Sequence, residues 1–361
     1  MIQFDYDELV KATESFSPST LLGKGSHGSV YKAKLVNDNN KLVAVKKPLL
    51  HAGHNEEEFH HNDGSKLQNE IRVLSFLRKN RHVIGFLGTT SRGDGKNRRE
   101  EDVLLVMEYM PNGSLHDLLH VSEAPPSWPK RVEIAVQVAR AVRFLHDESR
   151  PSVVHRDIKS ANVLFDCDFI AKLADFGLAV LVHVDDPGQP AGTIGYLDPC
   201  YTTPFKLSAK NDAFSFGVLV LEIVSGRKVI DLGREPAGIV EWALPLIRER
   251  RVAEICDTRV PLPQDDDDVA GAVRHLLFVA ASCVSLDEEC RPSMSDVVLG
   301  MEGCFLGRVR FPIWRVVVLV LGKRRRKLAK QWRERRESWK SQDCDRSPKG
   351  KVSLREVLAA T

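Results

Sequence analysis

The chain has 361 residues, 43% hydrophobic and 28% charged, enough for one large two-lobed domain or two ordinary ones, and too apolar for an intrinsically disordered protein. Its net charge of +3 conceals a split, because residues from Gly307 onward carry +12 and residues 1–306 about −9, so the tail is a separate electrostatic object. Seven cysteines at 167, 200, 256, 283, 290, 304 and 344 are an odd, scattered set without paired metal-ligand spacing, which argues against a disulfide framework and leaves free thiols as the expectation.

The start, MIQFDYDELVK, lacks a basic segment followed by an apolar run, and Ile2 rules out the myristoylation pattern, so a cytosolic protein is expected. Leu9, Val10, Ala12 and Phe16 recur at helical spacing within Phe4 to Phe16, which predicts a short helix that ends at Ser17-Pro18. Residues 1–20 therefore flank the main domain. From Leu21 to Lys47 the pattern turns to β: Leu21 and Leu22, a glycine-rich turn, Ser29 to Leu35, a polar loop, then Leu42 to Val45.

The turn itself carries Gly23, Gly25 and Gly28, followed by Val30. Because it lies between two strands, its backbone N–H groups can approach phosphates unhindered by side chains, but alone it reads equally as a plain hairpin. The next strand ends in Val43-Ala44-Val45-Lys46. A lysine in a buried strand is costly unless paired, and Glu70 stands on the helix that follows, predicted over 66–79 from Leu67, Ile71, Leu74 and Leu77. Between them, His51 to Gly64 reads as a solvated loop; a metal site from His51, His54, His60 and His61 finds no helical frame to support it.

After a polar insertion, Val103 to Met107 is a run suited to a buried strand, and beyond Pro111-Asn112-Gly113 the chain becomes mainly helical, at 129–147, 213–225, 237–250 and 269–284. The plan is a small β-rich lobe, a short connector and a larger α-rich lobe. Within the latter, His155-Arg156-Asp157-Ile158-Lys159-Ser160-Ala161-Asn162 precedes Asp175-Phe176-Gly177. Phosphoryl transfer needs a carboxylate to orient the attacking hydroxyl, assigned to Asp157, and oxygen ligands for hard magnesium ions, assigned to Asn162 and Asp175. Lys159 can neutralise charge on the moving group. Lys46 would hold the α- and β-phosphates of ATP, with Glu70 fixing its position.

These strings, with ATESFSPSTLLGKGSHGSVYKA, MEYMPNGSL, GTIGYLDP, FSFGVLVLEIVSGRK and CRPSM, resemble the eukaryotic protein kinases over Phe4 to about Cys304, and within them the plant receptor-like kinases. With no extracellular or spanning part ahead of it, the chain is most similar to the receptor-like cytoplasmic kinases. The resemblance implies an α+β, two-lobed protein kinase fold over 21–304, divided near 110/111, and an ATP-dependent serine/threonine protein kinase that uses magnesium, with manganese as the substitute. It also implies that Met107 is the gatekeeper of the adenine pocket, lined by Val30 and Ala44, that Glu108 and Met110 offer backbone hydrogen bonds to adenine, and that Asp212 braces the catalytic loop. Lysine two residues after Asp157 is the serine/threonine pattern. Protein substrates, and a membrane receptor kinase as neighbour, follow as partners.

Two departures stand out. In the family GTIGYLDP is followed by a Glu that pairs with a late arginine; here that place is Cys200 and the arginine is Arg291, so either a substitute carboxylate or a looser substrate segment is expected. A reactive thiol at Cys200 has no activator nearby in sequence. A scaffold that keeps the fold without activity takes its only support from this cysteine. The second departure concerns Arg156, which in the family pairs with a phosphorylated loop residue. Ala179 to Gly192 holds no Ser, Thr or Tyr, the nearest hydroxyls being Thr193 and Tyr196, whereas Asp185 and Asp186 are present. They read either as stand-ins for phosphate opposite Arg156 or as a solvated acidic loop.

The tail, 305–361, lies outside the resemblance. Its apolar run Val316 to Leu321 falls far short of the roughly 20 residues of a spanning helix. The basic stretch beyond it, with Leu328, Trp332, Arg335 and Trp339 at helical intervals, fits disorder first and then an anionic membrane surface at the inner face of the plasma membrane, with calmodulin as a further partner; nucleic acid is not expected.

Overall fold

The computed structural model describes residues 2–25, 28–36, 40–48, 60–91, 103–186, 188–262 and 267–305. The chain divides into units 1–309 and 310–361, and the second, with the expectations for the basic tail, lies outside the described residues.

The first half builds a six-stranded sheet from β1 (Ile2–Asp5), β2 (Leu21–Gly25), β3 (Gly28–Leu35), β4 (Lys41–Lys47), β5 (Phe86–Ser91) and β6 (Leu105–Glu108), in the order β1-β5-β6-β4-β3-β2. Two helices accompany it, α1 (Tyr6–Ala12) and α2 (His60–Phe76). The side-chain period of two along a strand gives each face its own task. Ala33, Leu35, Val43, Val45, Leu104 and Val106 form a buried cluster with Leu9 of α1. The opposite face carries Val30, Ala44, Lys46 and Met107, because Val30 stands opposite Lys46 and Ala44 opposite Met107 in the ladders.

Two expectations for this half are corrected. Residues 4–16 are not one helix: Ile2 to Asp5 form a strand parallel to β5, and the helix begins only where the Asp5 side chain accepts the Glu8 N–H at 2.8 Å. An N-terminal cap of this kind satisfies an otherwise orphaned donor and sets the boundary. Docking of β1 depends on Gly88, whose missing Cβ would lie 2.0 Å from the Ile2 carbonyl oxygen. The flanking segment is thus an edge strand and part of the core. Second, α2 starts at His60, so His60 to Gly64 are helical rather than loop. His51 and His54 lie outside the described residues.

The second half packs α3 (Trp128–Arg143), α4 (Ala209–Ser225), α5 (Ile239–Arg248), α6 (Val252–Ile255), α7 (Asp267–Cys283) and α8 (Met294–Phe305), close to the predicted helices. Short strands β7 (Val153–Val154), β8 (Val163–Phe165), β9 (Ala171–Leu173) and β10 (Val180–Leu181) lie between α3 and α4. α4 is buried along nearly its whole length and is framed at both ends: Ser208 and Asn211 form a reciprocal capping box, and Gly226 closes it with φ 62°. Each device stabilises a helix end by about 1 kcal/mol. The halves meet where Leu173 donates to His82 O at 2.9 Å and accepts from Ile84 N at 3.0 Å. A β lobe over an α lobe with strands β7 to β10 at the junction is the two-lobed kinase fold that the resemblance implies. Among the described residues no helix is long and apolar enough to cross a membrane.

Candidate active site

Lys46, buried on β4, projects from the cleft-facing side of the sheet and meets Glu70 Oε2 of α2 at 2.6 Å and Asp175 Oδ1 at 2.9 Å. Burial opposes charge on both partners, pulling the lysine down and pushing Glu70 up, but Glu70 and Asp175 together outweigh it and hold the ammonium above its ordinary range. The other oxygen of Glu70 accepts the Phe176 N–H at 3.2 Å, so one carboxylate ties α2 to both the strand lysine and the Asp-Phe-Gly turn. Asp175 itself sits at φ 65°, a strained conformation of the kind that persists where surroundings impose it.

The catalytic loop is held from beneath. Asp212 of α4, fully buried, accepts from His155 N at 2.8 Å, Arg156 N at 2.9 Å and His146 Nε2 at 2.8 Å. Burial alone would raise its carboxyl, yet these bonds hold it below the usual carboxylate range. His155, its pKa lowered by burial, accepts the Asp157 N–H on Nδ1, an arrangement that leaves Nε2 to donate to Ala174 O, with its ring edge-on to Phe176 at 4.7 Å. Asp157 is thereby fixed, and its carboxylate gathers three partners: Lys159 Nζ at 2.7 Å, Asn162 Nδ2 at 3.0 Å and Thr193 Oγ1 at 2.5 Å. Lys159 also donates to Thr193 Oγ1 at 2.8 Å.

At the mouth of the cleft, Gly28 takes φ 136°, and a Cβ there would meet the Lys47 carbonyl oxygen at 2.5 Å, which restricts the position to glycine. Gly23 and Gly25 are exposed and a Cβ on either would meet nothing, so their backbone is open to an approaching group. Val30, Ala44 and Met107 line the same sheet face above. Glu108 donates its amide to Gly85 O at 2.9 Å, while its side chain is engaged by Lys172 at 2.8 Å; Met110 follows in the partly exposed connector. The sequence-derived residues from both lobes therefore converge on one cleft.

Arg291 finds its substitute carboxylate. Both it and Asp198 are fully buried, with Nη1 and Nη2 donating to Asp198 at 2.5 and 2.8 Å, and Asn211 Nδ2 adding a further bond at 2.7 Å. These donors hold Asp198 below the usual carboxylate range although burial works against them. Cys200 donates its thiol to Leu286 O at 3.1 Å and its amide to Asp198. The arginine's carboxylate is the aspartate of the GTIGYLDP string itself, two residues upstream of Cys200, and the support that Cys200 lent to an inactive scaffold falls away. The described cysteines 167, 200, 256, 283 and 290 are free thiols, and burial pushes Cys256 up to about 11 and Cys283 up to about 12.

The phosphate stand-in opposite Arg156 is corrected. Arg156 donates to Gln189 O at 2.5 Å and lies over the Tyr201 ring. Asp185 instead pairs with Arg72 of α2 at 2.7 Å and accepts the Leu181 N–H at 2.8 Å, while Asp186 accepts the Gly188 N–H and pairs with no cation among the described residues. Arg72 also donates to Asn69 Oδ1 at 2.7 Å, and Asn69 donates to Gly177 O and Ala179 O at 3.1 and 2.9 Å. Asn69, Arg72 and Asp198 were missed because nothing local marks them. Only their places one residue before and two after Glu70, and within LDPC, could have drawn attention.

A family model described as protein kinase domain matches residues 16–299. A serine/threonine-protein kinase-like protein of Arabidopsis thaliana is 45% identical over 358 residues, 95% of this chain and 99% of the relative. The probable serine/threonine-protein kinase PBL25 of the same plant is 38% identical, with 84% and 76% covered, and the proline-rich receptor-like protein kinase PERK5 is 38% identical, with 83% and 43% covered.

Proposed function

The chain belongs to the protein kinase family, among its plant serine/threonine kinase-like members, and from that premise we propose that it transfers the γ-phosphoryl group of ATP to serine and threonine hydroxyls of protein substrates with magnesium as its metal. The observation that carries the reading is the Asp157 carboxylate, held by Lys159 and Asn162 on the same side as the Lys46, Glu70 and Asp175 triad.

Asp157 orients the attacking hydroxyl and accepts its proton; the 2.5 Å bond it already takes from Thr193 Oγ1 is the same type of contact. Lys159, shared between Asp157 and Thr193, sets positive charge beside the transferred group. Lys46 binds the α- and β-phosphates and keeps Asp175 in place, Glu70 holds Lys46, and Gly23, Gly25 and Gly28 let the backbone close over the phosphates. Val30, Ala44 and Met107 enclose adenine, with Glu108 and Met110 as its backbone partners. Asn162 spends its amide nitrogen on Asp157, so its side-chain oxygen, with the Asp175 carboxylate, would be the ligand set for the metal. This oxygen-only set suits a small hard cation. Magnesium, or manganese in its place, supplies charge neutralisation on the phosphates when bound there.

Purified protein given labelled ATP and magnesium should label a protein acceptor at serine or threonine, and the Asp157→Asn variant should not. Equal labelling by both, or label confined to tyrosine, would overturn the proposal. For its setting, the receptor-like names of several relatives and the +12 tail favour the cytosolic face of the plasma membrane beside a receptor kinase. Full-length protein should then sediment with anionic vesicles and stay behind with neutral ones; retention by calcium-loaded calmodulin alone would assign the tail to that partner instead.

A further inference from the structure

We propose that His116, His120 and Glu222 form a binding site for a borderline transition-metal ion, with zinc as the ion of first choice, separate from the phosphoryl-transfer centre. His116 and His120 stand four residues apart on the helical stretch that continues through 117–121, so their rings share a face, with centroids 4.9 Å apart. Glu222, from the last turns of α4, brings Oε1 to 2.7 Å from His120 Nε2. One donor atom from each of the three lies within 4.8 Å of the others, and theirs is the one such cluster among the described residues.

A second observation points to a cation. Glu222 is 1% exposed, its carboxylate accepts from Ser160 Oγ at 2.8 Å and from the Tyr196 hydroxyl, and among the described residues it pairs with no lysine or arginine, only with the His120 imidazole. Buried carboxylates are ordinarily compensated by a full positive charge. Two imidazole nitrogens and one carboxylate oxygen suit zinc, copper or nickel rather than magnesium or calcium. The ion would replace the His120 Nε2 proton, which leaves to solvent, and His116, exposed on the surface, swings inward to close the set. His120 also lines a cavity of about 450 Å³ with Arg227, Trp242 and Arg259, away from the catalytic cleft, which gives water room to fill a fourth position. An exposed ligand and an open position make the site exchangeable.

The test is calorimetric titration of chelator-stripped full-length protein with zinc, comparing wild type with His116→Ala. That variant removes one exposed ligand and should keep its magnesium-dependent labelling activity and melting temperature in the absence of zinc. We expect the variant to lose about tenfold or more in affinity for one zinc equivalent, and a cobalt-loaded wild type to show no thiolate charge-transfer band. Absence of binding in wild type, a smaller loss in the variant, or a thiolate band for that equivalent would each overturn the site.

Discussion

Neutralising Asp185 tests what holds α2 in place beside a loop, 179–192, that contains no hydroxyl residue. Its carboxylate meets Arg72 at 2.7 Å, with the two side chains 18% and 38% exposed, so the pair is screened and about 0.5–1 kcal/mol is its reasonable contribution. The Leu181 N–H that Asp185 also accepts is retained by asparagine in Asp185→Asn, so the change removes charge and little else. Arg72 adjoins Asn69, whose bonds to Gly177 O and Ala179 O join α2 to the segment after Asp175, and Glu70 lies between them. A loss of about 1 kcal/mol from the state in which Glu70 reaches Lys46 would shift that equilibrium about fivefold. In steady-state assays, Asp185→Asn and Arg72→Ala should each lower kcat/KM by about two- to fivefold, and the double variant by no more than either alone. Global stability should change by less than about 1 kcal/mol, and Asp186→Asn should match wild type, since among the described residues Asp186 pairs with no cation and its bond from the Gly188 N–H is one asparagine can also accept. Unchanged activity in Asp185→Asn, or fully additive losses in the double variant, would refute the clasp.

Asp198→Asn leaves Arg291 buried with its charge uncompensated and should destabilise the protein by about 3–5 kcal/mol in urea, whereas Cys200→Ser should stay within about 1 kcal/mol; the reverse ranking would return the arginine's support to position 200. Leu9→Ala removes a fully buried side chain from the β-lobe cluster, and a loss of about 2–5 kcal/mol is expected, against almost none if 1–20 were only a flank. Burial of His275 lowers its pKa to about 4, so the unfolded chain takes up a proton there first as the pH falls. Stability from this group is intact above pH 6.5 and declines by up to about 3 kcal/mol toward pH 4, a slope that His275→Leu should flatten in thermal melts. The depressed carboxyl of Asp198 acts lower: its contribution is present above the ordinary carboxylate pKa and is lost only below it.

What could be read from the sequence was whatever the chemistry demands at fixed spacing. Asp157, Lys159 and Asn162 must share one loop, and Lys46 must follow the glycine turn by one strand, so their order along the chain carries their roles before any tertiary contact is known. The lobes and most helices were equally legible, because hydrophobic period is local. The partners of those groups were not: Asp198 is 93 residues from Arg291 and Asp185 is 113 from Arg72, and no local pattern joins them. β1 escaped for a related reason, since four residues give no usable alternation and their pairing rests on the close approach that Gly88 permits 86 residues later. Cys200 makes the general point. A motif reading registers a lost glutamate and leaves open a substitute carboxylate or a looser substrate segment, but it cannot name the substitute: Arg291 requires only a carboxylate of suitable reach in a dry pocket, and Asp198, with Asn211 and the Cys200 amide completing its bonds, meets that requirement. One missing motif residue therefore says little about activity until the buried charge it leaves behind has been traced to its partner.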